Sequence, residues 1–323
     1  MRRKKRGRMN NVIRLDYTEK DYRVYKIENT EIPENMFIIC SEASRDILYN
    51  PHIAGKKLQE KMEKLSRIFV EVATKKGLRG ARFEDVVEFV LLAGGLYYNI
   101  ASGFKSVHGY ALPQCFLGIK RQRIEGSEGE FRAVSTYENF ESLPKNARVI
   151  IGDTIATGAT IVRAISDLER AAAERDGRIE QLIICSLACS SDGAKRIKRM
   201  EDRMKELNKD FTLYLIATEQ LFHLMPDGTD LRFLKEKSIM PEETKEYTIK
   251  KYGERLGREM KCAIFDWGTR CKNPKKHYKE FMEFADQILK SNILDKKGIR
   301  EIERMKSEIA QEMEIFNRII QCQ

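Results

Sequence analysis

The sequence predicts an α/β protein with a mainly parallel sheet, helices on both faces, and a helical addition at the C-terminus. Unbroken apolar runs rich in β-branched residues alternate along the chain with amphipathic stretches, as is typical of strands buried on both faces. The clearest amphipathic stretch is 53–75, where apolar residues recur at steps of four and three: Leu58, Met62, Leu65, Phe69 and Val72. This period is that of a helix with one buried face.

The elements follow from these patterns in chain order. Strands are expected at 36–40, 88–93, 115–120, 131–135, 148–152, 181–187, 212–217 and 262–265. Helices are expected at 53–75, 96–107, 160–175, 192–207, 276–290 and 294–319. We therefore predict a basic, polar N-terminal extension over 1–35, an α/β domain over 36–270 and a helical extension over 271–323. Ligands of such sheets bind at the carboxyl ends of the strands, so the loops that follow strands are the places to look for a site.

Composition excludes several classes of protein. No apolar run approaches the roughly eighteen residues that a membrane-spanning helix needs, so we expect no membrane association. Of the net charge of +10, six charges belong to residues 2–8. Such a tail is usually solvated, and attraction to nucleic acid is the alternative. The seven cysteines form no Cys-x-x-Cys pair, which favours reduced thiols in a cytoplasmic protein over a zinc site.

The most informative segment is 149–160, Val-Ile-Ile-Gly-Asp-Thr-Ile-Ala-Thr-Gly-Ala-Thr. An apolar strand delivers Asp153 and a Thr-Gly-Ala-Thr turn to the start of a helix. Unpaired backbone N–H groups at the helix start, the close approach that Gly158 permits, and the hydroxyls of Thr157 and Thr160 suit a bound phosphate. Asp153 is placed to accept hydrogen bonds from sugar hydroxyls or to help hold a metal ion. The alternative is an ordinary buried strand followed by a capped helix.

This segment resembles the phosphoribosyl-pyrophosphate (PRPP) loop of the type I phosphoribosyltransferases. That signature is an apolar strand, two adjacent acids, three residues, Thr-Gly, a small residue and Thr or Ser. Asp153 stands at the second acid position, whereas Gly152 replaces the first. The uracil phosphoribosyltransferase branch, which the Ala-Thr-Gly ending resembles, also keeps one acid, although there it is the first. The resemblance covers roughly residues 50–235 and implies that PRPP is bound by Asp153, Thr154, Ala156, Thr157, Gly158, Ala159 and Thr160.

A second match precedes the first by about sixty residues. An apolar strand runs into Ala93, Gly94 and Gly95, at the place where the uracil branch has Arg-Ala-Gly, whose amides bind the pyrophosphate of PRPP. The resemblance implies that these three residues take the pyrophosphate, with glycines permitting an unusual backbone, although the arginine is missing. A tight turn is the alternative explanation of the glycine pair.

A third match lies between the other two. Residues 115–123 and 131–135 are predicted to form a hairpin, where the family has a mobile hairpin that closes over the reaction centre. The resemblance implies that Arg121 acts with Asp153 in catalysis and that Lys120 and Arg123 contact PRPP, since cations screen a departing pyrophosphate. The alternative is a solvated hairpin with scattered charge.

The C-terminal part departs from the family. The glycine-rich loop that reads the pyrimidine is missing after the strand at 212–217, and Phe-Asp-Trp-Gly-Thr-Arg at 265–270 is its predicted substitute. We expect the acceptor to contact Ile155, Asp266, Trp267 and Gly268. Trp267 would stack on a ring. Alternatively, it anchors the C-terminal helices in the core. Uracil is therefore expected to be a poor acceptor.

Together these matches predict an enzyme that binds PRPP with Mg²⁺, transfers its phosphoribosyl group to a nitrogen of a flat heterocycle and releases pyrophosphate. We expect a homodimer. One alternative is a PRPP- or nucleotide-sensing regulator of the same fold that binds nucleic acid and has little or no catalytic activity. Another is a nucleotide-binding domain unrelated to PRPP.

Overall fold

The computed structural model describes residues 11–92, 94–123, 131–262 and 267–321. The strands are β1 (Val12–Thr18), β2 (Tyr22–Glu28), β3 (Asn35–Ser41), β4 (Val86–Leu91), β5 (Gln114–Arg123), β6 (Phe131–Asn139), β7 (Asn146–Gly152), β8 (Arg178–Ser186), β9 (Cys189–Ser190), β10 (Thr212–Thr218), β11 (Leu221–Leu224) and β12 (Leu231–Arg232). The helices are α1 (Glu42–Tyr49), α2 (Gly55–Lys76), α3 (Ile100–His108), α4 (Ala159–Ala173), α5 (Ser191–Leu207), α6 (Glu242–Glu259), α7 (Trp267–Lys272), α8 (Pro274–Lys290) and α9 (Lys296–Gln321). Short 3₁₀ turns lie at Phe83–Asp85 and Gly95–Tyr97.

Within the described ranges, nine strands form one sheet in the order β1-β2-β3-β10-β8-β7-β4-β5-β6. The central pairings, from β3 to β5, are parallel. The pairings β1–β2, β2–β3 and β5–β6 at the two edges are antiparallel. The predicted mainly parallel sheet is confirmed. Its carboxyl edge gathers the loops that follow β4, β7, β8 and β10.

Helices cover both faces of the sheet, as predicted. Successive strand residues alternate between two apolar cores, as the pleat requires. Ile150 and Ile183 face the core built with α2, α3 and the C-terminal helices. Ile151, Leu182 and Ile184 face the core built with α4 and α5.

Strands β1 and β2 lie inside the segment predicted as a polar extension and were not predicted. Strand β2 contributes to both cores: Tyr22 and Val24 are buried in the core with α2 and α3, and Ile27 is buried in the core with α4 and α5. Strand β1 is mostly exposed, with Leu15 54% exposed. The charged residues between these positions weaken the alternation on which sequence prediction of a strand depends. The hairpin adds two antiparallel strands beside β3.

Helices α1, α6 and α7 were also not predicted. Helix α6 buries Thr244 and Thr248 through hydrogen bonds, to Glu219 at 3.1 Å and to Tyr49 at 2.7 Å. Because polar side chains occupy this buried face, its hydrophobic period is weak. The helices predicted at 276–290 and 294–319 are confirmed as α8 and α9. Most of the strand predicted at 262–265 falls outside the described residues.

The helices and the cysteines bear on the expected absence of a membrane-spanning helix and on the expected buried thiols. Across the described ranges, no helix combines the length and apolar character needed to span a membrane. Six of the seven cysteines lie in the same ranges, and all six are buried thiols: Cys40, Cys115, Cys185, Cys189, Cys262 and Cys271.

Candidate functional site

The predicted phosphate loop joins the carboxyl end of β7 to α4. Strand β7 ends at Gly152, and Asp153 and Thr154 follow, both partly exposed. Beyond the end of β7, the loop stays hydrogen-bonded to the end of β8 and the residues that follow it. The amide of Asp153 donates to the Cys185 carbonyl at 3.0 Å, and that of Ile155 donates to the Ala188 carbonyl at 2.9 Å. The loop backbone is therefore fixed before the helix begins.

Helix α4 begins at Ala159 behind a left-handed Gly158, with φ +73° and ψ 6°. Residues with a β-carbon rarely adopt this conformation. Gly158 is the N-cap residue and has no side chain, so no N-cap side chain accepts hydrogen bonds from the first amides of α4. The hydroxyl of Thr157, just before the N-cap residue, accepts a hydrogen bond from the Ala159 amide at 3.3 Å. This is the combination that suits an anion at a helix N-terminus.

The start of α5 packs against the same loop. The Ser190 hydroxyl donates to the Ala156 carbonyl and accepts from the Gly193 amide at 2.7 Å. A β-carbon on Gly193 would lie 2.6 Å from Cγ2 of Ile155 and 2.7 Å from the Ala156 carbonyl oxygen. The two helix starts therefore meet with the loop between them.

Ile155 is predicted to contact the acceptor, and the structure places its side chain elsewhere. Its side chain is 1% exposed and belongs to the core with α4 and α5. Its amide donates to Ala188, and its carbonyl accepts from Ser190 at 2.8 Å. The residue therefore anchors the loop, and an acceptor contact through it stays a prediction.

Tyr98 explains why glycine stands at the first acid position. A β-carbon on Gly152 would lie 2.5 Å from Cγ of Tyr98, so the ring occupies the space that a side chain there would need. The Tyr98 hydroxyl accepts from the Leu187 amide at 2.9 Å and shares a hydrogen bond of 3.1 Å with Thr154 Oγ1. Burial is the main cause that raises the pKa of this hydroxyl, and the nearby charge of Asp153 adds to it.

The segment predicted to take pyrophosphate lies against this tyrosine. Ala93 lies outside the described residues. Gly94 has φ −67° and Gly95 opens a 3₁₀ turn, and neither has a positive φ, so the unusual backbone expected of this glycine pair is not observed. Gly95 packs closely on the loop, because a β-carbon there would lie 3.0 Å from the Gly152 carbonyl oxygen. The segment therefore adjoins the phosphate loop, while its pyrophosphate contact stays a prediction.

A buried acid fixes the helix that follows. Glu88 of β4 is 2% exposed and accepts from the amides of Ile100 and Ala101, both at 3.0 Å, and from Gln114 at 2.7 Å. Burial raises the pKa of its carboxyl, and these donors oppose that rise. Glu88 thus caps the start of α3.

The predicted hairpin exists and lies alongside α4. Residues 118–123 of β5 extend beyond the end of β4 and pair with β6, the backbones of Lys120, Arg121 and Arg123 facing those of Val134, Ala133 and Phe131. Ser135 donates to Asp167 of α4 at 2.6 Å. Lys120 is exposed. The tip at 124–130 lies outside the described residues, so closure over the reaction centre stays a prediction.

The predicted acceptor segment begins a short helix. Asp266 falls outside the described ranges, and Trp267 and Gly268 open α7. Arg270, fully buried, donates to the carbonyls of Ile47, Asn50 and Ile53 at 2.8–2.9 Å, and burial lowers its pKa to about 10. Lys272 Nζ lies 5.8 Å from the ring centre of Tyr97, so α7 is near the Gly94–Gly95 segment.

Sequence reasoning missed the turn at 225–230. A β-carbon on Gly228, which has φ +72°, would lie 3.4 Å from Cγ2 of Thr157. Asp227 closes this turn by accepting from the amides of Thr229 and Asp230 at 2.9 and 3.0 Å, and these bonds lower its pKa against the opposing effect of burial. The Pro-Asp-Gly-Thr signal for a turn was present, but its position beside Thr157 depends on tertiary structure.

No protein-family model and no curated protein sequence matches the chain. Similar solved structures are phosphoribosyltransferases. A hypoxanthine phosphoribosyltransferase from Staphylococcus aureus is 19% identical, with 42% of this chain and 67% of that chain covered and a TM-score of 0.30. An adenine phosphoribosyltransferase from Trypanosoma brucei is 14% identical, with coverages of 74% and 99% and a TM-score of 0.37. The hypoxanthine-guanine enzyme of L. donovani is 15% identical, with coverages of 49% and 79% and a TM-score of 0.30.

Proposed function

We propose that this chain binds PRPP and transfers its phosphoribosyl group to a ring nitrogen of a flat heterocycle. The observation that carries the proposal is the junction of β7 and α4, where a left-handed Gly158 opens a helix without a side-chain cap and partly exposed Asp153 stands at the strand end. A phosphate and a ribose presented together match this pair of features.

In the reaction, the acceptor nitrogen forms a bond to C1 of the ribose while the bond from C1 to the pyrophosphate oxygen breaks. The pyrophosphate keeps the electron pair, and the nitrogen loses its proton to solvent. The transition state is oxocarbenium-like, so the protein acts chiefly by holding the two reactants in line. Residues 156–160 hold the 5′-phosphate, and Asp153 accepts hydrogen bonds from the ribose hydroxyls. Arg121 and its neighbours in β5 screen the leaving pyrophosphate.

Magnesium fits these residues in the manner usual for phosphate substrates. Mg²⁺ is commonly bound through one or two carboxylates together with substrate phosphates and waters. The described residues include no group of three or more His, Cys, Asp or Glu side chains able to hold a metal by themselves. Asp153 would hold the ion jointly with PRPP, and the ion would neutralise charge on the pyrophosphate.

For the acceptor, we propose a ring larger than uracil or differently substituted, bound near α7. A site that hydrogen-bonds a base strongly rejects analogues that lack the matching groups, and the glycine-rich loop that reads uracil is missing from the sequence. Uridine monophosphate formation should therefore be slow. Efficient formation of that product would show that the uracil branch had been the better model.

The proposal is tested by calorimetric titration with PRPP and Mg²⁺, repeated with each nucleobase, on wild type and Asp153→Asn. We expect the variant to bind PRPP about tenfold more weakly or worse, since the amide keeps the shape but loses the anion; tenfold corresponds to about 1.4 kcal/mol. The control is Asp202→Asn, an exposed acid on α5 that pairs with Lys198.

Unchanged PRPP affinity in Asp153→Asn would make the loop structural and remove the basis of the proposal. Binding of PRPP without turnover of any base would instead favour the sensing alternative. In that case deletion of residues 1–9 should weaken nucleic-acid binding and flatten its salt dependence.

A further inference from the structure

We infer that Arg196 of α5 is a phosphate-binding residue of this site, contacting the 5′-phosphate of the sugar from the side opposite the α4 amides. The inference rests on the proposed function, since it adds one side chain to the same phosphate site.

Arg196 starts beside the left-handed turn that opens α4. A β-carbon placed on Gly158 would lie 3.5 Å from the Cβ of Arg196 and 3.3 Å from the Gly193 carbonyl oxygen. Gly193 itself packs on Ile155 and Ala156, which holds the start of α5 against the loop. The three-methylene stem of an arginine gives its guanidinium ample reach to a phosphate at that turn.

Most of the other cations of α5 differ from Arg196 in having acidic partners. Four have an acid close by: Lys195 with Glu31, Lys198 with Asp202, Arg203 with Glu169 and Lys205 with Glu34. Arg196 and Arg199 are exposed, and neither forms an ion pair with any acid in the described part of the chain. Of these two, only Arg196 adjoins Gly158.

The Arg196 guanidinium and the α4 backbone amides together favour a phosphate as the ligand. A guanidinium presents several N–H donors in a planar fork that matches phosphate oxygens, and such bonds are stronger than those between neutral groups. Backbone amides supply partial charges only. An arginine at the same turn would supply the full charge that a doubly ionised phosphate calls for.

The test uses two probes that separate the ends of PRPP: ribose 5-phosphate, which carries the 5′-phosphate alone, and pyrophosphate. Calorimetry on Arg196→Gln should show ribose 5-phosphate bound about tenfold more weakly, the lower end of what a charge-assisted hydrogen bond contributes, with pyrophosphate affinity unchanged. Arg196→Lys should recover part of the loss.

Arg199→Gln is the matched control. It removes the same charge from an exposed, unpaired position one helical turn farther from Gly158, so it reproduces any long-range electrostatic effect. It should leave both affinities unchanged. Equal losses in the two variants would show a diffuse field and overturn the inference.

The two hypotheses fail differently. If wild type binds ribose 5-phosphate and Arg196→Gln binds it equally well, the inference is overturned and the proposed function stands. If wild type binds neither ribose 5-phosphate nor PRPP, the phosphate loop itself is wrongly assigned, and the role of Arg196 falls with it. Because Arg196 is exposed, the variants should fold, and their unfolding midpoints verify this.

Discussion

Strands β7 and β10 run parallel with β8 between them, and each is followed at the same edge of the sheet by an acid. Asp153, after β7, is partly exposed in the loop that leads to α4. Glu219, after β10, is fully buried in a left-handed conformation with φ +58°. Its four donors are the Ser41 amide, the Ser44 hydroxyl, the Arg45 guanidinium and the Thr244 hydroxyl, at 2.7–3.1 Å.

The position of an acid at a strand end does not fix its role, because the surrounding elements decide whether its carboxylate is enclosed, as in Glu219, or partly exposed, as in Asp153. The donors of Glu219 come from β3, α1 and α6, so its carboxylate joins three elements to the sheet. Burial is the main cause that raises its pKa, and the charge of Arg45 opposes that rise. Asp153 is partly exposed and is followed by a turn and a helix start. One acid therefore stabilises the fold, and the other is available for chemistry.

The largest expected effect separates the two acids. Glu219→Gln should lower the free energy of unfolding by about 3 kcal/mol, because it removes one partner of a buried ion pair and leaves Arg45 facing an amide. Asp153→Asn should change stability by less than about 0.5 kcal/mol, as partly exposed substitutions usually do. Urea denaturation of both variants measures the difference.

The reverse pattern would invert the roles assigned here. A stable Glu219→Gln protein that no longer binds PRPP would place the ligand at the end of β10. In that event Asp153 would be the structural acid.

The next largest effect concerns Gly152, which stands where the phosphoribosyltransferase signature has its first acid. Gly152→Ala should destabilise the protein by about 2 kcal/mol, because its β-carbon would overlap the ring of Tyr98 and overpacking of a rigid core is costly. The double variant with Tyr98→Ala should lose less than the sum of the two single losses, since removing the ring removes the clash. Strictly additive losses in chemical denaturation would contradict the assigned contact.

Much of the fold was predictable because many strands and helices show a clear hydrophobic periodicity in the sequence. The helix predicted at 53–75 is observed as Gly55–Lys76, and that at 160–175 as Ala159–Ala173. The strand, turn and helix start around Asp153 were predictable for the same reason, because they are consecutive in sequence. Helix α6 was missed because Thr244 and Thr248 occupy its buried face, and their contribution is hydrogen bonding rather than apolar area.

The rest of the site depends on contacts between distant segments. Tyr98 fills the space beside Gly152 across more than fifty residues of chain, and the turn at Gly228 reaches Thr157 across seventy. The sequence does not distinguish Arg196 from the other cations of α5, because it does not show which cations on a helix pair with acids. Such pairings are decided by tertiary packing, which periodicity does not report.

The smallest effect tests whether Tyr98 positions the loop as well as filling space. Tyr98→Phe keeps the ring against Gly152 and removes the hydroxyl that bonds the Leu187 amide and Thr154. We expect a loss of about 1 kcal/mol in stability, the usual net value of one hydrogen bond, and a few-fold weaker PRPP binding, because Thr154 adjoins Asp153. The matched control is Tyr137→Phe, since Tyr137 is 51% exposed on β6 and its hydroxyl should contribute nothing. Stability would be read from urea denaturation and affinity from calorimetry. If Tyr98→Phe loses stability but binds PRPP like wild type, the tyrosine is a packing residue, and Asp153 keeps its position without help from the Tyr98 hydroxyl.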